Sequence, residues 1–328
     1  MNGRPMKLFA PSESRELGAR IAARLGMAPG ALEERDFEDG EHKLRPLESV
    51  RECDVYLVQS LYGEAQRSVH DKLCRLLLLA GALRDAAAAR VTAVLPYLCY
   101  ARKDRRTQPR DPLATRYLAQ WLEAAGVDRV VLLEVHNPAA VENAFRCPVQ
   151  LLDTAPLFAA HFAAALDAGP VVVMSPDTGG IQRAERLRAA LAARLGRPVG
   201  SAFMEKYRSA GVVSGEAVVG ELGDAQVVLF DDLISTGGTL LRAARACRAR
   251  GARRVHAAAA HGLFTDRAGE RLDDPALDSL AVTDSVPPWR LAGTALHGRL
   301  IQLPIAPLLA EVLARLHRGD SVVELLER

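Results

Sequence analysis

Along the whole chain, short valine-rich runs alternate with longer stretches rich in alanine, leucine and arginine. The apolar runs are DVYLVQS (54–60), VTAVLP (91–96), RVVLLEV (129–135), PVVVMSP (170–176), QVVLFDD (226–232) and RVHAAAA (254–260). Between them lie helical patterns at 69–83, 113–125, 156–166, 180–195 and 239–250. Strand–helix alternation with short connections predicts an α/β fold of mostly parallel sheets flanked by helices. At 328 residues the chain is long for one core, so two domains are expected. Each half repeats the order strand, polar turn, helix, strand. The prolines of RCPVQLLDTAP mark a break near residue 150. We therefore read two similar domains, 1–150 and 151–328. The late segment IAPLLAEVLARLHRG has apolar residues at helical spacing and reads as a packing helix. Its domain membership is open.

Composition narrows the function. A net charge of +2 makes no electrostatic case for duplex nucleic acid as a partner. The longest apolar run, 76–83, is far short of a membrane span, and the first residues lack the apolar core of a signal peptide. Five cysteines without CxxC spacing fit a reducing compartment, so a cytoplasmic protein is expected. Arginine dominates the basic residues, and Lys206 is the only lysine after Lys103. A chain that otherwise uses arginine keeps lysine where a compact, flexible charge is useful.

In open α/β sheets, ligands bind at the carboxyl ends of the strands. Here those ends are YLCYARKDRR, EVHN, SPDTGG, FDDLISTGGT and AHG. In FDDLISTGGT, Gly237 and Gly238 open a helix whose exposed N–H groups and positive dipole end suit an anion. Thr236 and Thr239 add hydroxyls. A tight turn with threonine capping explains TGGT alone equally well. Asp231 and Asp232 change the balance, because two adjacent carboxylates repel unless something pairs with them. Vicinal sugar hydroxyls or a metal would serve. The composite suggests a sugar phosphate.

This loop resembles the ribose-phosphate loop of type I phosphoribosyltransferase-like proteins, and most specifically that of the ribose-phosphate pyrophosphokinases. The resemblance covers nearly the whole chain, through RDFEDGEHKLRP, VYLVQS, VTAVLPYLCYARKDRR, GVDRVVLLEVH, SPDTGGIQRAERL, EKYR, FDDLISTGGT, AHGLF and VTDSVP, in the family's order. It implies that Phe37, Asp39 and Glu41 of FEDGE bind the adenine of ATP, although FEDGE by itself reads as a solvated turn. Arg102, Lys103 and Asp104 would contact the nucleotide, with Lys103 standing where the family more often has Gln. His136 matches a metal-binding histidine, here in EVHN rather than the usual DLH, and Asp177 matches an acid beside Mg²⁺ or the ribose. Lys206 and Arg208 match the catalytic Lys-x-Arg pair of a flexible loop, in keeping with the mobile composition of 205–216. Asp231, Asp232, Ser235, Thr236, Gly237, Gly238 and Thr239 would hold ribose 5-phosphate.

The implied reaction is transfer of diphosphate from ATP to O1 of ribose 5-phosphate, with Mg²⁺ as cofactor. A phosphoribosyltransferase would share the sugar-phosphate loop but not FEDGE and YARKD. A catalytically silent relative is expected to lack the Lys-x-Arg or Asp pair, and both are present here. In the family the ATP site lies between subunits, which implies a homo-oligomer. Members under phosphate or ADP control commonly carry Asp where this chain has Ser235. STGGT is more similar to the archaeal-type variant, so the resemblance does not carry that regulation over.

Overall fold

The valine-rich runs form central strands because each pairs on both sides and is covered on both faces. The computed structural model describes residues 3–209 and 212–326, with the side chains at 206–216, 324 and 326 outside the description. Its contacts divide the chain into two units, Met1–Leu152 with Ile305–Arg328, and Asp153–Pro304.

The first unit begins with β1 (Met6–Phe9), α1 (Arg15–Arg24) and an antiparallel ribbon of β2 (Leu32–Asp36) and β3 (His42–Pro46). Then β4 (Asp54–Val58), β5 (Arg90–Leu95), β6 (Arg129–Leu133) and β7 (Val149–Leu152) alternate with α2 (Val69–Asp85), α3 (Ala114–Ala124) and α4 (Pro138–Ala144). The main sheet is parallel, in the order β1-β4-β5-β6-β7. Every residue of β4 is buried, and each such Val or Leu side chain stabilises the unit by about 1.5–3 kcal/mol. A reciprocal capping box, Ser68 with Asp71, starts α2.

The second unit contains α5 (Ala155–Ala165), β8 (Val171–Ser175), α6 (Ile181–Leu195), β9 (Gly200–Ser209), β10 (Val212–Val219), β11 (Gln226–Ile234), α7 (Gly238–Ala249) and β12 (Arg254–Gly262). It closes with α8 (Ala268–Arg271), β13 (Ser279–Thr283), α9 (Ala295–Arg299) and β14 (Leu300–Leu303). Its sheet runs β10-β9-β8-β11-β12-β13-β14 and is parallel except for the β9–β10 pair.

The last helices, α10 (Ala306–Arg318) and α11 (Val323–Leu326), belong to the first unit. α10 packs on α1, and His317 Nδ1 lies 2.8 Å from Asp54 Oδ2. Asp54 also accepts from Arg90 Nε at 2.7 Å and Tyr56 Oη at 3.0 Å. Among the described residues, no helix is long and apolar enough to cross a membrane.

The segment 205–216, expected to be a loop, differs. Its described backbone is strand on both arms, with Lys206 opposite Glu216 and Arg208 opposite Val213. Its polar, glycine-containing composition offers no sustained apolar alternation from which a strand could be read.

Candidate active site

In the second unit, β11 carries Phe230, Asp231 and Asp232 to its carboxyl end. Phe230 is fully buried and meets Phe158 edge to face, with ring centroids 5.2 Å apart. That anchorage fixes where the two acids emerge. Asp232 N donates to Asp231 Oδ1 at 2.8 Å. The buried Arg183 of α6 sets Nη1 3.3 Å from Asp231 Oδ1 and 3.6 Å from Asp232 Oδ1. Burial, and then the charge of Asp232, push the Asp231 carboxyl well above the usual carboxylate range, while Arg183 pulls it down. The protein thus supplies its own partner for the acid pair.

Beyond the acids, Ser235 Oγ is 2.8 Å from Thr265 Oγ1, and Thr265 N donates to Ser235 O at 3.0 Å. Arg271 donates to the carbonyl of Thr236. Gly237 has φ +75°, and a Cβ there would lie 2.7 Å from Leu272 Cγ, so conformation and space both demand glycine. Gly238 opens α7, and its N-cap residue is Gly237, which has no side chain with which to cap the first turn. A glycine at this position leaves the first-turn N–H groups without a cap from their own N-cap residue, which suits an anion site. Arg242 Nη2 reaches Thr239 Oγ1 at 3.4 Å.

At the end of β8, Asp177 Oδ1 accepts from Gly179 N at 2.9 Å and Gly180 N at 3.0 Å, and Ser175 Oγ donates to Asp177 O at 2.6 Å. A Cβ on Gly180 would lie 2.6 Å from Ser175 Oγ. This turn therefore orients the Asp177 carboxylate and directs α6, which delivers Arg183.

In the first unit, FEDGE is the tip of the β2–β3 ribbon. Phe37 N donates to Glu41 O at 2.8 Å, Glu41 N donates to Asp39 Oδ1 at 3.1 Å, and the Arg35 guanidinium lies 4.8 Å from the Phe37 ring centroid. Asp39 and Glu41 are exposed. After β5, Tyr100 has φ +58° and Arg102 is exposed. Lys103 Nζ is held by Asp111 Oδ2 at 2.5 Å and Thr107 Oγ1 at 3.1 Å. That pairing, with the Thr107 hydroxyl and backbone N–H bonds, holds the Asp111 carboxyl below its ordinary value. After β6, the buried Glu134 has φ +36° and His136 is exposed. Asn137 Nδ2 donates to Asp104 Oδ2 at 2.6 Å, while its Oδ1 accepts from Ala140 N at 3.2 Å and caps α4. The departure EVHN thus joins the turn after β6 to the YARKD turn. Sparsely populated backbone at Tyr100 and Glu134 marks these strand ends as over-determined sites.

Among the described residues, no three His, Cys, Asp or Glu side chains gather to hold a metal ion. Lys206 and Arg208 lie in β9, and their side chains are outside the description.

Comparison with known proteins accounts for both units. Residues 6–126 match the family model for the N-terminal domain of ribose phosphate pyrophosphokinase, and 212–327 match that for the phosphoribosyl synthetase-associated domain. Ribose-phosphate pyrophosphokinase of Rhodopirellula baltica is 36% identical over 325 residues, covering 98% of each chain. The chain belongs to the ribose-phosphate pyrophosphokinase family. The Gloeobacter violaceus pyrophosphokinase is also 36% identical, over 98% of this chain and 93% of its own. The crystal structure of phosphoribosylpyrophosphate synthetase from Mycobacterium smegmatis superposes with a TM-score of 0.85 at 33% identity, covering 97% of this chain and 100% of that one. The reaction class, ribose-phosphate diphosphokinase, goes with membership.

Sequence reasoning about this pyrophosphokinase missed Arg183, Asn137 and Asp111. Arg183 carried a usable signal: it lies three residues past Gly180, on the first turn of the helix that SPDTGG opens. Asn137 and Asp111 carried none, since their partners lie 33 and 8 residues away.

Proposed function

We propose that the protein converts ATP and ribose 5-phosphate to AMP and phosphoribosyl pyrophosphate with the following division of labour. The α7 N-terminus and the Ser235–Thr239 loop hold the 5-phosphate, through backbone N–H groups and the hydroxyls of Thr236 and Thr239. Asp231 and Asp232 accept from the ribose hydroxyls. The observation that carries this reading is the acid pair at the end of β11, supported by Arg183 and followed by a helix start whose N-cap is a glycine. Phe37, Asp39, Glu41, Arg102, Lys103 and Asp104 serve the nucleotide. Lys103 must then exchange its Asp111 partner for a phosphate or act from where it stands.

The family uses a metal ion, and we assign Mg²⁺. Mg²⁺ takes one or two protein ligands and fills its remaining positions with water and substrate phosphates. Asp177 suits it as a hard oxygen donor whose carboxylate is already oriented by two backbone N–H groups. Asp177 would be a ligand from the second unit, and His136 is the candidate ligand that the first unit offers; the ion when bound would neutralise charge on the ATP oxygens. Diphosphoryl transfer needs in-line positioning and charge stabilisation more than covalent chemistry. Lys206 and Arg208 provide that stabilisation on the transferring group. As in the family, the working form is a homo-oligomer, which sedimentation of the purified protein measures.

Release of AMP from ATP in the presence of ribose 5-phosphate and Mg²⁺ is the direct assay. Asp231→Asn and Asp232→Asn should raise KM for ribose 5-phosphate with little change in KM for ATP. A larger effect on ATP than on the sugar would reverse the assignment.

A further inference from the structure

The β2–β3 ribbon has little apolar surface with which to hold itself in place. Its strands read LEERD and HKLRP, and only Leu44 of the ten residues is buried. A two-stranded ribbon alone is marginally stable in water. Something else must fix its tip.

The side chain under it is Arg75 of α2, which is fully buried. Arg75 Nε lies 3.0 Å from Glu13 Oε1, its Nη1 lies 3.3 Å from Asp36 Oδ1, and its Nη2 bonds Glu34 Oε2. One guanidinium thus gathers the segment before α1 and two carboxylates of β2. Arg67 closes the arrangement, with Nη2 2.5 Å from Asp36 Oδ2 and Nε 3.1 Å from Glu13 Oε1. Asp36 directly precedes Phe37, so the grip is applied at the edge of the tip.

We propose that Arg75 is a positioning residue for nucleotide binding: it clamps β2 to α2 through Glu34 and Asp36 and so sets the location of Phe37, Asp39 and Glu41. A planar five-donor fork suits three acids from two segments, and a lysine there would lose most of that geometry. Because the fork is buried, water cannot replace a lost carboxylate partner. The clamp therefore fixes one position of the ribbon, and loosening it lets the tip wander while leaving the ribose-phosphate loop, in the other unit, as it was. This inference rests on the assignment of FEDGE to the nucleotide.

The test compares kcat and both KM values for the full-length enzyme carrying Phe37→Ala, Asp36→Asn, Arg75→Met, Arg75→Lys or Asp36→Asn with Arg75→Met. Asp36 is half-exposed, so Asp36→Asn folds even if Arg75→Met does not. Asp36→Asn should raise KM for ATP about threefold to tenfold, as expected for a charge-assisted contact of intermediate exposure. KM for ribose 5-phosphate should stay within about twofold. Arg75→Met should do at least as much, Arg75→Lys should fall between, and the double variant should add little to Arg75→Met. If Phe37→Ala raises KM for ATP while Asp36→Asn leaves it unchanged, the positioning role is wrong. If Phe37→Ala itself has no effect, the nucleotide assignment has failed. Amide hydrogen exchange over 32–46 then decides the clamp alone: faster exchange in Asp36→Asn upholds it, and unchanged exchange overturns it.

Discussion

Replacing Arg183 by Met should expose how much of the second unit's stability depends on one buried cation. At an effective dielectric of about 20, a unit charge pair at 3.3 Å is worth about 5 kcal/mol, and one at 3.6 Å slightly less. Much of that attraction offsets the desolvation of three ions. The net loss expected once Asp231 is ionised is that of breaking a buried pair, about 3–5 kcal/mol. The pH dependence follows from the sign of the Asp231 shift. Its folded pKa is already raised above 3.8, and removing Arg183 raises it further. A carboxyl raised in this way binds its proton in the folded state, so at low pH the variant escapes most of the penalty. The penalty grows as pH climbs from the wild-type's raised pKa to the variant's still higher one, then levels off. Urea unfolding of both proteins, from about pH 5 to about pH 8, measures it. Adding Asp231→Asn to the variant should recover a large part of the loss, because one of the two repelling charges has gone. A loss below about 1 kcal/mol throughout the range would show that Arg183 does not neutralise the pair.

Other consequences are simpler to read. Gly237→Ala places a Cβ against Leu272 at a positive φ, and should cost about 1–3 kcal/mol in thermal unfolding while raising KM for ribose 5-phosphate. Lys206→Ala should lower kcat by about 10²–10³ with little change in either KM; unaltered turnover would remove Lys206 from the chemistry. Asp54 is held below its ordinary pKa: burial opposes the shift, and hydrogen bonds from Arg90 and His317 outweigh it. Its contribution is therefore present above about pH 4 and lost as pH falls through the depressed value. Asp54→Asn should cost about 3–5 kcal/mol at neutral pH and flatten the acid side of the stability curve, both measurable by denaturant titration.

Much of the fold was legible because its central strands are fully covered. Val171–Ser175 and Gln226–Ile234 lie where valine runs predicted them, since a strand buried on both faces has almost no polar residues to disguise it. Charged strands escaped notice. Leu32–Asp36 and His42–Pro46 look like loop because their carboxylates and cations face buried partners or solvent, and those partners are distant in sequence. The same reasoning applies at the acid pair. Asp231 and Asp232 demanded a counter-charge, and the sequence suggested sugar hydroxyls or a metal. The structure adds a resident guanidinium from another helix. Motif residues sit at fixed local spacings and can be read in order, whereas their supports are chosen by tertiary geometry.

The contact between His317 and Asp54 spans 263 residues, and it bears on how the chain is made. On the ribosome, Asp54 and the sheet around it emerge early, yet α10 is translated only after the whole of Asp153–Pro304. The second unit is one uninterrupted segment and can close while synthesis continues. The first must wait, with the surface of α1 that α10 covers left exposed until then. Chaperone capture and proteolysis of nascent chains should therefore concentrate on the half that was translated first.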